Sequence, residues 1–138
     1  MPAPFSGGCL CGAIRYTCAM EPVATVQCHC RDCQRNSGGG FAIVLAVQRA
    51  AVTFQRGTPK RHTTPADSGN TVWREFCAIC GCQLFAGGSA NPDFCGIKAS
   101  SLDDPSWVRP IGDIWTDSAQ PWDYLDPALP KAPKNLQA

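Results

Sequence analysis

Short apolar runs of strand length, separated by turn-forming residues, make up most of the chain. "GAIRYTC" (12–18) alternates, with Ile14, Tyr16 and Cys18 on one face and Arg15 and Thr17 on the other. That period of two marks a half-buried strand. "FAIVLAV" (41–47) is a continuous apolar run, as expected of a strand buried on both faces. "AVTFQ", "RHTT", "TVWREFC", "CQLFA" and "DFCGIKA" read as further short strands, with "RGTP", "PADSGN" and "GGSANPD" as the turns between them. "TVQCHC" (25–30) continues the alternating pattern. The best helix candidate is one or two turns at "RDCQRNSG" (31–38), with Asp32 near its start and Gly38 at its end. The pattern therefore predicts a mostly β fold of short antiparallel strands with one or two short helical turns. Pro121, Pro127, Pro130 and Pro133 make the tail (about 121–138) an extended segment, laid on the domain or loose.

Length and charge narrow the picture. The chain has 138 residues, which fits one domain spanning 1–138 and allows a substantial core. Twelve Lys and Arg against eleven Asp and Glu leave a net charge of +1. That balance offers no basic footprint for nucleic acid or an acidic membrane surface. No apolar run approaches the roughly 18 residues of a membrane span, and the N-terminus lacks the pattern of a signal peptide. The expectation is a soluble cytoplasmic protein.

Ten cysteines change the reading most. They cluster at C-x-C and C-x-x-C spacings in a chain expected to stay in a reducing compartment, which favours metal over disulfides. Cys9 and Cys11, two apart in an extended segment, project to one face. "CAIC" followed by Gly81 reads as a metal knuckle. Cys9, Cys11, Cys77 and Cys80 together make a closed four-cysteine site, the usual structural zinc arrangement. Cys82 lies in register with Cys80, as a substitute ligand or a buried free thiol.

The second cluster is Cys28, Cys30 and Cys33. If "TVQCHC" is a strand, Cys28 and Cys30 share a face, and Cys33 swings back at C-x-x-C spacing. His29 then points to the opposite face and finds a hydrogen-bond partner there. Three protein ligands with an open fourth position suit a catalytic metal. A closed site with Cys18, Cys82 or Cys95 as the fourth ligand is the alternative. A zinc with three thiolates is a poor Lewis acid toward a carbonyl, but it deprotonates an incoming thiol and keeps it nucleophilic. Arg31 and Arg35 flank the cluster as partners for a substrate carboxylate or as a solvated face. The glycines of "NSGGGF" permit close backbone approach of a peptide-like thiol, or simply form a turn.

Four ordered segments, "GGCLCGAIRY", "CHCRDCQR", "FCAICGCQLF" and "DIWTDSAQPW" (113–122), resemble the glutathione-dependent formaldehyde-activating family, also called the centromere protein V/Gfa domain. The resemblance runs from Gly7 to Trp122. It implies a β-tent (Mss-four-like) zinc-binding fold with two zinc ions per chain. One would be structural at Cys9, Cys11, Cys77 and Cys80, and the other catalytic at Cys28, Cys30 and Cys33. It also implies addition of glutathione to formaldehyde, giving S-hydroxymethylglutathione, which is a carbon–sulfur lyase in reverse. The partners would be a small glutathione-like thiol and an aldehyde, with no nucleic acid and no membrane; an oligomer is compatible. Two positions depart from the family pattern. Cys82 stands where a small hydroxyl residue is common, and Asp113 where histidine is frequent. A non-enzymatic zinc scaffold for protein interaction and a redox or metal-storage protein are the competing readings. The lack of a basic extension in this chain favours the enzyme.

Overall fold

The computed structural model describes residues 3–135. Ten strands form two sheets: β1 (Phe5–Gly8), β2 (Arg15–Cys18), β3 (Ala24–Cys28), β4 (Ala42–Gln48), β5 (Val52–Arg56), β6 (Lys60–Pro65), β7 (Thr71–Phe76), β8 (Gln83–Gly88), β9 (Phe94–Lys98) and β10 (Gly112–Ile114). β1, β2 and β5 make a three-stranded sheet, and the other seven run in the order β10-β3-β4-β9-β8-β7-β6. All pairings are antiparallel except β10 with β3, which is parallel, so the expectation of antiparallel strands fails at that edge. A parallel neighbour needs a long crossover, and β10 arrives from the other end of the chain to supply it. Among the described residues the helical content is one short α-helix, α1 (Arg31–Ser37), and three single 3-10 turns.

The core lies between the sheets. Ile14, Tyr16 and Cys18 are buried as their alternation predicts, and they meet Leu45, Val47, Phe85 and Ile97 from the larger sheet. The Tyr16 and Phe85 rings meet edge to face with centroids 4.9 Å apart, and the Tyr16 hydroxyl reaches the Ser101 hydroxyl at 2.6 Å. That pairing satisfies the one polar atom of a fully buried ring.

β3 and β4 pair from Ala24 with Ala46 to Cys28 with Ala42. α1 is inserted between them, so the helix stands at the end of this hairpin. Gly38, at φ 79°, ends it in the left-handed conformation, and its amide reaches the Gln34 carbonyl at 2.9 Å. The tail as far as residue 135 lies on the domain: Ala132 donates to the Asp113 carbonyl at 2.9 Å, and Trp115 donates to the Lys134 carbonyl at 3.0 Å; its last three positions, 136–138, lie outside the described residues.

Candidate metal centres and the adjoining cavity

The seven clustered cysteines gather into two groups, Cys9/Cys11/Cys77/Cys80 and Cys28/Cys30/Cys33, each able to hold a metal ion, with all sulfurs of a group within 4.8 Å of one another. Cys18, Cys82 and Cys95 join neither group.

In the first group the sulfurs converge through two turns, not through an extended segment. β1 ends at Gly8, and the Gly12 amide folds back to the Cys9 carbonyl at 3.2 Å. Gly81 does the same on the Cys77 carbonyl at 2.8 Å. Gly12 and Gly81 sit at φ 81° and 77°, where a Cβ would be strained. Backbone amides aim at the sulfurs: Ile14 at Cys9, and Ile79 and Cys80 at Cys77, over 3.2 to 3.5 Å. Amides of Cys82 and Cys11 hold the Cys80 thiol down at about 6. The Sγ–Sγ distances are 3.7 Å for Cys9–Cys11 and 3.8 Å for Cys11–Cys77. A tetrahedron with metal–sulfur bonds of about 2.3 Å has edges of about 3.8 Å, so the group fits zinc.

The second group is built differently from its predicted form. β3 stops at Cys28, and Cys30 is the N-cap of α1, with φ −64° and ψ 156°. Its sulfur accepts from the Cys33 amide at 3.3 Å. Cys33 lies one helical turn on, as the C-x-x-C spacing predicts, so helix geometry joins it to Cys30, while Cys28 reaches them from the end of β3. Hydrogen bonds from Cys28 and then Cys30 pull the Cys33 thiol down to about 2, with the charges of Lys98 and Arg74 adding to the effect. Cys28 is pushed far up by Cys30 and Cys33. Sulfurs crowded in this way resist ionising together, a condition that a bound cation relieves. An all-sulfur set again suits zinc. Among the described residues no fourth cysteine, histidine or carboxylate joins the three.

His29 points away from the sulfurs and is fully buried. Its Nε2 meets Asp113 Oδ1 at 2.9 Å and its Nδ1 meets Asp123 Oδ2 at 2.6 Å, so both ring nitrogens are occupied. Lys131 Nζ lies 3.4 Å from the other Asp113 oxygen. Gln34, on the buried face of α1, donates to the carbonyls of His29 at 2.7 Å and Ser118 at 3.0 Å, and accepts from Gln120 at 3.1 Å and from Arg31. Gly40 packs against the Asp123 carboxyl, where a Cβ would lie 2.8 Å from Cγ. The glycine run therefore serves this contact as well as the turn. Arg31 and Arg35 are exposed on α1.

Two hollows adjoin the site. One, of about 390 Å³, is bordered by Cys28 and Cys33, by Val26, Val44 and Ile114, and by Lys98. The other, of about 660 Å³, is bordered by the end of α1 and by Cys82, and shares Lys98 with the first. Arg31 and Arg35 border neither. Lys98, Arg74 and Asp123 had no motif to mark them, and Gln34, inside "CHCRDCQR", was given no role; only the alternation of "DFCGIKA" places Lys98 on the face of Gly96.

Comparison with known proteins agrees with this construction. Residues 4–118 match the family model described as glutathione-dependent formaldehyde-activating enzyme. A Penicillium rubens protein whose provisional name carries the same description is 29% identical over 119 residues, covering 78% of this chain. The match takes in 61% of that relative's length. A crystal structure of a Rhodobacter sphaeroides protein superposes with a TM-score of 0.54 at 22% identity, over 76% of this chain and 91% of that one, a likeness of fold.

Proposed function

The chain belongs to the glutathione-dependent formaldehyde-activating enzyme family, and on that premise we propose that it adds a small thiol such as glutathione to formaldehyde or a related electrophile, with zinc at both cysteine groups. The observation that carries this reading is the three-sulfur group beside a cavity, with the one neighbouring histidine turned away.

Cys28, Cys30 and Cys33 would hold the catalytic zinc, and Cys9, Cys11, Cys77 and Cys80 a structural one. Bound at the three-cysteine group, zinc supplies the acidity that makes an incoming thiol a thiolate at neutral pH. The protein's own residues would leave that group with three sulfur ligands. Asp113 and Asp123 hold the His29 ring on the far side, so imidazole does not compete with the substrate. Gln34 ties α1 to the His29 and Ser118 carbonyls and so fixes Cys30 and Cys33 at the helix start. Cys28 and Cys33 border the cavity, which brings a thiol held there close to the sulfur group. In the reaction the thiolate sulfur bonds to the formaldehyde carbon, the carbonyl pair moves to oxygen, and a proton from solvent completes the S-hydroxymethyl product. The reverse breaks the same carbon–sulfur bond.

Exchange NMR with ¹³C-formaldehyde and glutathione tests the proposal. Zinc-loaded protein should accelerate formation of S-hydroxymethylglutathione above the uncatalysed rate, and Cys33→Ser should abolish the acceleration. An unaccelerated exchange with wild-type protein would remove this activity and favour the protein-interaction scaffold.

A further inference from the structure

Small side chains floor the outer face of the larger sheet. Pairing places Ala46, Gly96 and Ala86 side by side on β4, β9 and β8, with Arg74 beyond them on β7. Val44 pairs with Lys98 two residues along, on the same face. A Cβ on Gly96 would collide with Val44, so that part of the floor stays level only with glycine.

Two cations stand over this floor, each with a buried nitrogen that has no partner among the described residues. Lys98 is 4% exposed, and its ammonium makes no hydrogen bond among the described residues. The buried Nε of Arg74 is in the same position. A buried ammonium with unused donors is costly unless a ligand supplies the missing acceptors. Burial pushes the Lys98 ammonium below its ordinary range, and the Cys33 charge opposes that shift. Lys98 borders the cavity that also reaches Cys28 and Cys33. A ligand there meets sulfurs at one point and an unpaired cation at another, over a surface low enough for an extended backbone.

We infer that Lys98 anchors a carboxylate of the thiol substrate, whose backbone lies along the small-residue floor of β4, β9 and β8. The inference rests on the thiol-addition reading in taking the ligand to be a thiol. It selects small, peptide-like thiols with a free carboxylate over neutral thiols. Arg74 adds positive potential from the same face.

Calorimetric titration of zinc-loaded protein with glutathione and with glutathione diethyl ester, in which both carboxylates are masked, tests this. Wild type should bind the free acid tighter by roughly tenfold or more, the worth of one charge-assisted hydrogen bond. Lys98→Met should bring the two ligands level with zinc content unchanged, and Lys98→Arg should restore part of the preference. If Lys98→Met does not fold, Ala86→Asp, which puts a carboxylate on the floor, should abolish the same preference. A wild type that binds both alike or binds neither overturns the inference. So does a preference that survives Lys98→Met, or, where that variant does not fold, Ala86→Asp; Lys98 would then serve only to balance the sulfur charge. Formaldehyde turnover on the same samples separates the two ideas. Discrimination without turnover removes the enzymatic reading alone, and turnover without discrimination removes this inference alone.

Discussion

His29 Nδ1 lies 2.6 Å from Asp123 Oδ2, joining a residue between two metal-site cysteines to one 94 positions along the chain. The contact is buried on both sides. With Asp113 on the other ring nitrogen, it fixes the imidazole away from the sulfurs and fastens the proline-rich tail over the back of the site. One arrangement thus serves the geometry of the site and the anchoring of the tail together.

Replacing His29 by alanine should keep both metals and cost stability. The change strands Asp113 and Asp123 in a buried site, which typically costs roughly 3–5 kcal/mol. Elemental analysis should find zinc still near two per chain while the urea midpoint falls. Loss of one zinc would make His29 a ligand.

Loosening the other end of the contact should free the tail. Gly40→Ala puts a Cβ 2.8 Å from Asp123 Cγ, and such overpacking costs about 1–3 kcal/mol. Limited proteolysis should then cut between residues 119 and 135 faster than in wild type, with cleavage elsewhere unchanged. An unaltered cleavage pattern would mean that Asp123 does not hold the tail.

The two cysteine groups should differ in what they stabilise. Cys9 and Cys11 lie far along the chain from Cys77 and Cys80, so metal bound there contributes directly to folding. Cys77→Ser should lose most ordered structure by circular dichroism. Cys30→Ser should stay folded and release one zinc to a mild chelator. Equal unfolding of both variants would erase the distinction.

Gln34→Ala should detach the helix start from the late segment. It removes the donors for the carbonyls of His29 and Ser118, each unmade bond costing about 1–3 kcal/mol. Faster amide exchange confined to α1 and residues 113–120 is expected. Exchange that rises uniformly would point to global destabilisation instead.

Local pattern made much of this legible. Alternation identified Ile14, Tyr16 and Cys18 as core, cysteine spacing separated the two groups, and Gly38 marked the helix end. Reading Cys30 as a strand residue missed its place as a helix cap, because strand alternation and an N-cap both bring neighbouring sulfurs together. The contacts of His29 with Gln34, Asp113 and Asp123 were not assigned, since they span 5 to 94 positions and no periodicity connects such distances. The parallel pairing of β10 escaped for the same reason.

The proposed chemistry depends most on a three-sulfur site that takes a thiol as its fourth ligand. Cobalt-substituted protein titrated with glutathione measures this directly through sulfur-to-cobalt charge-transfer absorption. The band should strengthen and saturate, His29→Ala should respond in the same way, and Cys28→Ser should lose the response with its metal. A spectrum unchanged by thiol, together with metal loss in His29→Ala, would contradict it and make the group a closed structural site.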